Sequence, residues 1–534
     1  MAATNVEKSG ASRYNTIVIV GAGMGGIAMA AKLQKQFNCT DFHIYEKAES
    51  TSGTWRQNDY PGCACDVPGA FYSFSFEPNY DLKRMNPTQQ ETKEYCDKVA
   101  VKYGVPQRTT FKTRVYKASW QEEKRQWRVW ARNWETGEEI VHDCKVFITA
   151  IGILDVPNDT FNVPGRETFK GKIMHTTGWD HSVELKGKNV VVVGNGCTAA
   201  QLVPALLDRG VANLYQFFRS RHFYVAMPVD RDAVYPESLR KMWKLFPFTL
   251  YAYRVALFLY IEKSFIFFYN HKLGRWYRKK MTEESLEFME KTAPKKYHDL
   301  LRPDFDLGCK RRIIEGEYLK SLHDPRISLH QDSIASVTPT SIISASGEEI
   351  PADIIALATG FNTTDFLYGI EVTGVNGVNV KDHWARYGGA EAYNCSVMHE
   401  FPNFFMILGP NTAPGHTSAL MYAENNVDYA INVLRPLLSN IATRVELKKP
   451  AEDKWVISVQ SALKNMVWNT GCNSWYNRGV DGWNSTTYPW TSFWYWYQSN
   501  YVNWADWEVE LTEAGRRRRW RGGGSWGFRS MDTD

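Results

Sequence analysis

The apolar pattern changes period several times along the chain, and each change marks an element. Residues 14–20 form a short β-branched run that predicts a buried strand. It ends at Gly21, and the small-residue segment 27–34 that follows predicts a helix. Phe42–Tyr45 predicts a second strand, closed by an acid, Glu46. Over residues 110–150 aromatic and polar side chains alternate around a turn at Gly137, which predicts an antiparallel meander. Residues 146–152 predict one more buried strand, and Pro157 and Pro164 then mark a linker. The opening pattern returns at Asn189–Val193, a fully apolar strand running into glycines, with 214–218 as its second strand.

Both strands lead into glycine loops of one kind. In Gly21-x-Gly23-x-x-Gly26 the glycines permit a tight turn and close backbone approach, and the helix N-terminus favours a pyrophosphate. Glu46, twenty residues after Gly26, is placed to bind a ribose hydroxyl. The second loop is Gly194-x-Gly196-x-x-Ala199, and no acid closes its second strand. Arg219 and Ser220 stand there instead; a guanidinium binds a 2′-phosphate that a carboxylate would repel, so NADPH is expected over NADH. The expected fold is α/β, with two Rossmann-like dinucleotide-binding domains, for FAD and for NADP.

Composition narrows the partners. A chain of 534 residues holds two or three domains and buries ample core. Its net charge of +5 arises from 63 basic and 58 acidic residues, with no basic stripe before the far C-terminus, so no nucleic-acid partner is expected. The nine cysteines are odd in number and scattered. Only Cys63 and Cys65 are close, and neither has a metal-ligand partner at suitable spacing, so free thiols, no metal and a cytoplasmic location are expected. The first 13 residues lack the apolar run of a signal peptide.

Two further segments carry chemistry. Residues 53–66 read G-x-W-x-x-x-x-Y-P-G-x-x-x-D; Trp55 stands where disulfide oxidoreductases carry a redox cysteine, and Cys63-x-Cys65 has the wrong spacing for one. Residues 169–180 fix Phe169, Gly171, His175 and Trp179. Read by its residues alone, that second segment is a connector with two glycines and an aromatic anchor. Together with both glycine loops, the two segments resemble the Baeyer–Villiger monooxygenases, with a texture closest to the branch of fungal secondary metabolism. The resemblance covers roughly residues 14 to 500.

That resemblance implies an enzyme in which NADPH reduces FAD and one oxygen atom of O₂ is inserted beside a ketone carbonyl. It implies that Thr54, Trp55 and Tyr72 line FAD and that Asp66 faces the flavin's working side. It places Lys310 near the NADPH 2′-phosphate, Arg311 over the flavin with Asp66 orienting it, and Trp475 against NADP. Arg312 competes with Arg311 if the register slips by one. An N- or S-oxidising flavin monooxygenase is the nearest rival, with a fingerprint shorter at Trp179-Asp180. A non-catalytic flavin-binding partner of a membrane is the rival from another class.

The expected domains are a flavin domain at 14–160, resumed at 376–510 with a Trp-rich cap, and a nicotinamide domain at 161–225, resumed at 309–375. A helical insertion occupies 226–308, and disordered tails occupy 1–13 and 511–534. Within the insertion, residues 246–269 are aromatic-rich but interrupted by Arg254, Glu262 and Lys263. They predict a buried or substrate-facing segment, with contact to a membrane surface the less favoured alternative. Nothing in the sequence speaks to oligomeric state.

Overall fold

The computed structural model describes residues 13–227, 233–472, 474, 476 and 482–517. Arg13–Val20 lies inside a sheet ordered Glu371–Thr373, Thr113–Gln121, Gln126–Asn133, Glu139–Thr149, Arg13–Val20, Phe42–Tyr45, Thr109–Thr110. Ile17 faces Phe42 on one side and Val146 on the other, both in parallel register. The helix Met24–Phe37 buries its small residues on this sheet and packs against Ala419–Leu438, bringing the late chain into the first core. Phe404–Met406 returns beside Glu139–Thr149.

Residues 146–152 are not a strand of their own. Of these, 146–149 end the eleven-residue strand Glu139–Thr149, whose first half pairs antiparallel with Gln126–Asn133 while His142–Thr149 runs parallel to Arg13–Val20. The pattern changes there from alternation to a continuous apolar run because the strand passes from one-sided to two-sided burial.

The second sheet is parallel throughout, ordered Ile327–His330, Asn213–Phe217, Asn189–Val193, Ile354–Leu357, Lys172–His175. Its edge strand comes from the 169–180 segment, which is therefore more than a connector. A strand of four residues is too short for its periodicity to show.

Three expected boundaries move. Glu371–Thr373 pairs with Thr113–Gln121, and Phe366 and Leu367 join the meander's core, so the chain leaves the nicotinamide sheet before 375. The first strand already begins at Arg13. At the other end, Trp507–Leu511 pairs with Ala442–Leu447, and the short helix Glu513–Arg517 buries Gly515 against Ile441, so order extends past 511. The rest of both expected tails lies outside the described residues.

The insertion is helical, with Glu237–Leu245, Pro247–Glu262 and Lys272–Thr292 as its main helices. The expectation of burial fails for Pro247–Glu262, in which only Leu250 is buried. Apolar side chains surround this helix, so periodicity could not say which face meets the core. The late tryptophans do not form one cap: Trp468 is buried on Phe268, Trp483 covers Gly388 and Gly389, and Trp494 and Trp496 are exposed.

Candidate active site

Each glycine loop is shaped by backbone crowding. Gly21 has φ +104°, and a Cβ there would lie 2.6 Å from the Ala150 carbonyl oxygen. At Gly26 it would lie 2.0 Å from the Gly21 oxygen. Gly194 repeats the first case, with φ +123° and a Cβ 2.4 Å from the Ala358 oxygen. Ala199, at the third position of the second loop, is fully buried. The helices Met24–Phe37 and Cys197–Asp208 start at Gly23 and Gly196 with no side-chain cap and no acid in the first turn. Their first amides are left for an anion, and a Cβ at Gly196 would meet nothing within 4 Å. These loops fit two dinucleotide pyrophosphates.

Glu46 is buried and braces the first loop. Its two carboxylate oxygens accept from the amides of Ala22 at 2.7 Å and Ala48 at 2.9 Å. Burial raises its pKa, and the two amides pull against that. Each oxygen keeps a second lone pair for a ribose hydroxyl. Gly53 sits back to back with Gly23: a Cβ at Gly53 would lie 3.0 Å from the Gly23 Cα. Thr54 opens the turn Thr54–Gln57, and Trp55, next in it, donates from Nε1 to the Tyr72 hydroxyl at 3.2 Å with the rings edge to face. Thr54, Trp55 and Tyr72 thus flank the first loop.

The Tyr60-Pro61-Gly62 portion of the motif has a geometric cause. The helix Cys197–Asp208 approaches so closely that a Cβ at Gly62 would lie 2.3 Å from the Gln201 oxygen. Tyr60 donates to the Gln201 side-chain oxygen at 2.8 Å, and Gln201 donates to the Ala64 carbonyl at 3.0 Å. Gln201 was missed by sequence reasoning; its signal is a lone amide on the apolar face of the second glycine-loop helix.

The 169–180 segment ties the two domains. A Cβ at Gly171 would lie 2.2 Å from the Asp353 oxygen, so glycine lets the chain enter the edge of the sheet. Phe169 packs on the face of that sheet. The Gly178 amide donates to the Gln57 carbonyl at 2.9 Å, across to the flavin side. Trp179 is buried in the same core as Tyr60. Burial lowers the pKa of His175 and holds it neutral. Its Nδ1 accepts from the Thr177 amide at 3.0 Å, and its buried Nε2 turns toward the Gly360 backbone without a full hydrogen bond.

Arg311 is where the domains meet. It donates from Nη2 to Asp66 Oδ2 at 2.5 Å, and its charge also reaches Cys197 and Tyr476. Flavin loop, second glycine loop and late chain therefore converge on one guanidinium. The Asp66 carboxylate raises its pKa further, outweighing burial. Asp66 and Cys197 line one cleft there, with Asn86 and Ile314. Arg312 turns away and lies over the Phe267 ring at 4.5 Å; burial pulls its pKa down to about 10.

On the nicotinamide side, Arg219 and Ser220 stand exposed past the strand Asn213–Phe217, and Asn195 of the glycine loop donates to the Ser220 carbonyl at 2.8 Å. Lys310 is buried with its ammonium 4.4 Å from the centre of the Phe305 ring, and burial lowers its pKa. Arg221 reaches Asp304, beside that ring, at 3.8 Å, which links Lys310 to the loop of Arg219. Trp475 lies outside the described residues. Cys309, next to Lys310, forms a disulfide with Cys472, so the expectation of free thiols throughout fails. The two are 163 residues apart, and no spacing could have paired them.

Fold and site together define a flavoprotein oxidoreductase with two dinucleotide sites facing each other. A family model described as an NAD(P)-binding Rossmann-like domain matches residues 19–86, and one described as L-lysine 6-monooxygenase/L-ornithine 5-monooxygenase matches 69–243. A Baeyer–Villiger monooxygenase of Pseudomonas aeruginosa is 31% identical over 90% of this chain and 88% of its own. The FAD-binding monooxygenase ktnD of Aspergillus niger is 30% identical over 92% of this chain and 81% of its own. The structure of cyclohexanone monooxygenase from Rhodococcus sp. Phi1 bound to NADP+ superposes with a TM-score of 0.81 at 22% identity, over 94% of this chain and 100% of that one.

The chain belongs to the Baeyer–Villiger monooxygenase family. It is an FAD- and NADPH-dependent monooxygenase that inserts one atom of O₂ beside a ketone carbonyl, giving an ester or lactone. Bacterial and fungal relatives share similar identity with it, so identity alone does not single out the fungal branch.

Proposed function

We propose that the substrate is a bulky, apolar ketone of secondary metabolism and that Arg311, oriented by Asp66, is the catalytic cation. The observation that carries this is the 2.5 Å contact between Arg311 and Asp66, where the 53–66 segment, the second glycine loop and the late chain converge. Bound FAD, reduced by NADPH, supplies the oxygen chemistry. Arg311 places fixed positive charge where negative charge develops on the transferred oxygen. Asp66 holds the guanidinium plane beside the cleft that Asp66 and Cys197 line, and Cys197 and Tyr476 engage it as well.

Gly21, Gly23, Gly26 and Glu46 hold the FAD pyrophosphate and ribose, with Thr54, Trp55 and Tyr72 along the flavin. Gly194, Gly196 and Ala199 receive NADPH, with Arg219, Ser220 and Lys310 at its 2′-phosphate. The buried aromatic cluster of Phe267, Phe268 and Trp468, against which Arg312 rests, keeps water from that side of the junction. Among the described residues no single helix is long and apolar enough to cross a membrane.

Incubating the enzyme with cyclic and polycyclic ketones, NADPH and O₂, followed by mass spectrometry, tests the proposal. A product one oxygen heavier than its ketone is expected. N-oxidation is the second reading, favoured by the match of residues 69–243 to lysine and ornithine monooxygenases. Oxygenated amines without oxygenated ketones would establish it.

A further inference from the structure

The helix Pro247–Glu262 presents an apolar face to solvent. Phe248, Val255, Leu259 and Tyr260, at helical spacing, each keep more than half of their surface in water. Its two charged residues turn inward. Arg254 donates to the Ala70 carbonyl at 2.5 Å and the Ser73 hydroxyl at 2.6 Å, and Glu262 meets His416 at 2.9 Å. The face continues at both ends. The bend into Glu237–Leu245 exposes Leu245 and Phe246. At the other end, the Phe493 amide donates to Glu262 at 3.3 Å and seats the helix Ser492–Asn500, with Trp494, Trp496 and Tyr497 exposed. Soluble monomers rarely leave so long an apolar surface uncovered.

We infer that this face docks shallowly on an anionic lipid surface. Three observations select lipid over a second copy of the chain. The pair Glu237–Leu245 and Pro247–Phe268 has the length and composition of a membrane span but is bent by 111°, a shape that suits lying in a bilayer surface. The exposed end is rich in Trp and Tyr, whose amphipathic rings favour the headgroup boundary. Cations mark its rim: Arg240 lies on the first helix, beside Lys241 and Lys244 that are paired with Glu237 and Asp81, and Lys263 lies over the Tyr260 ring at 4.2 Å. The docking does not depend on the substrate proposed above. It does set the site beside the bilayer, because Arg254 fastens this helix to the loop that carries Tyr72.

The test is sedimentation of the FAD-loaded full chain with vesicles of phosphatidylcholine and phosphatidylglycerol. Vesicles with brominated acyl chains are added to quench tryptophan emission. The wild type is expected to sediment with the vesicles, to be quenched, and to be released by salt. Phe248→Ser combined with Leu259→Ser, both outside the catalytic and coenzyme machinery, should lower the partition by at least about tenfold with FAD content unchanged. Leu259→Asp alone serves if the double variant loses its flavin. Wild type left in the supernatant would overturn the inference, as would equal partition of the variants. A wild-type dimer that ignores vesicles and dissociates in the variants would assign the face to a second copy instead.

Discussion

Arg311→Ala separates coenzyme binding from oxygen transfer. A guanidinium offers five N–H groups; Arg311 gives Nη2 to Asp66 at 2.5 Å and also engages Cys197 and Tyr476, so the proposed role rests on the donors that remain. Removing one preorganised donor from such a site costs roughly 100- to 1000-fold in rate, about 3–4 kcal/mol. The variant also leaves Asp66 in the cleft without its partner. Two like charges roughly 6 Å apart repel by about 3 kcal/mol at an effective dielectric near 20. The Asp66 side chain keeps 23% of its surface exposed, so solvent screens part of that repulsion. A total loss of roughly 1000- to 10,000-fold in oxygenated product is therefore expected. FAD should stay bound, and NADPH should still be consumed, with hydrogen peroxide released in place of product. Asp66→Ala should fall between wild type and Arg311→Ala, and Arg312→Ala should be mild because that side chain lies on Phe267. Paired measurement of NADPH oxidation and product yield decides it. Full yield from Arg311→Ala, or a loss confined to Arg312→Ala, would show that the wrong arginine was assigned.

Gly23→Val should yield colourless protein, because a branched side chain would stand between Gly53 and the expected path of the pyrophosphate; visible absorbance of the purified protein checks this. Arg219→Ala should weaken NADPH by roughly ten- to a hundred-fold while barely changing NADH, given about 1.5–3 kcal/mol for a charged hydrogen bond, as titration of both coenzymes would reveal. His383 is buried against Glu400 at 3.0 Å, Glu452 at 3.2 Å and Glu391 at 3.3 Å; burial alone would depress its pKa, but the carboxylates raise it from 6.5 to about 10. Its stabilisation is thus complete below pH 6.5 and lost as pH rises toward 10, so His383→Gln should cost about 3–5 kcal/mol near neutrality and flatten the fall of Tm over that window.

What the sequence disclosed was whatever local geometry enforces. A glycine at φ +104° or +123°, with a carbonyl where its Cβ would sit, can be read from spacing because nothing else fits there. Contacts between distant segments left weaker traces. Arg311 and Asp66 are 245 residues apart, and only the resemblance to a family, not the run Lys310-Arg311-Arg312, separated the cation that meets the carboxylate from the one that meets an aromatic ring. The Cys309–Cys472 pairing left no trace at all. The exposed face of Pro247–Glu262 was hidden for the opposite reason: a helix apolar on every side gives no periodic signal to lose.

The 169–180 segment shows why four fixed positions can stand for a whole enzyme. Each one answers a different mechanical demand. Phe169 packs on the face of the nicotinamide sheet, and Gly171 lets the chain slip past the Asp353 carbonyl into its edge. His175, kept neutral by burial, ends that strand against the Gly360 turn. Trp179 anchors the next residues in the core shared with Tyr60, while the Gly178 amide holds the Gln57 carbonyl on the flavin side. Arg311, drawn to Asp66 from across the same junction, depends on the distance these contacts set between the two domains. A change at any of the four would first move one coenzyme site against the other, and only through that displacement reach the chemistry.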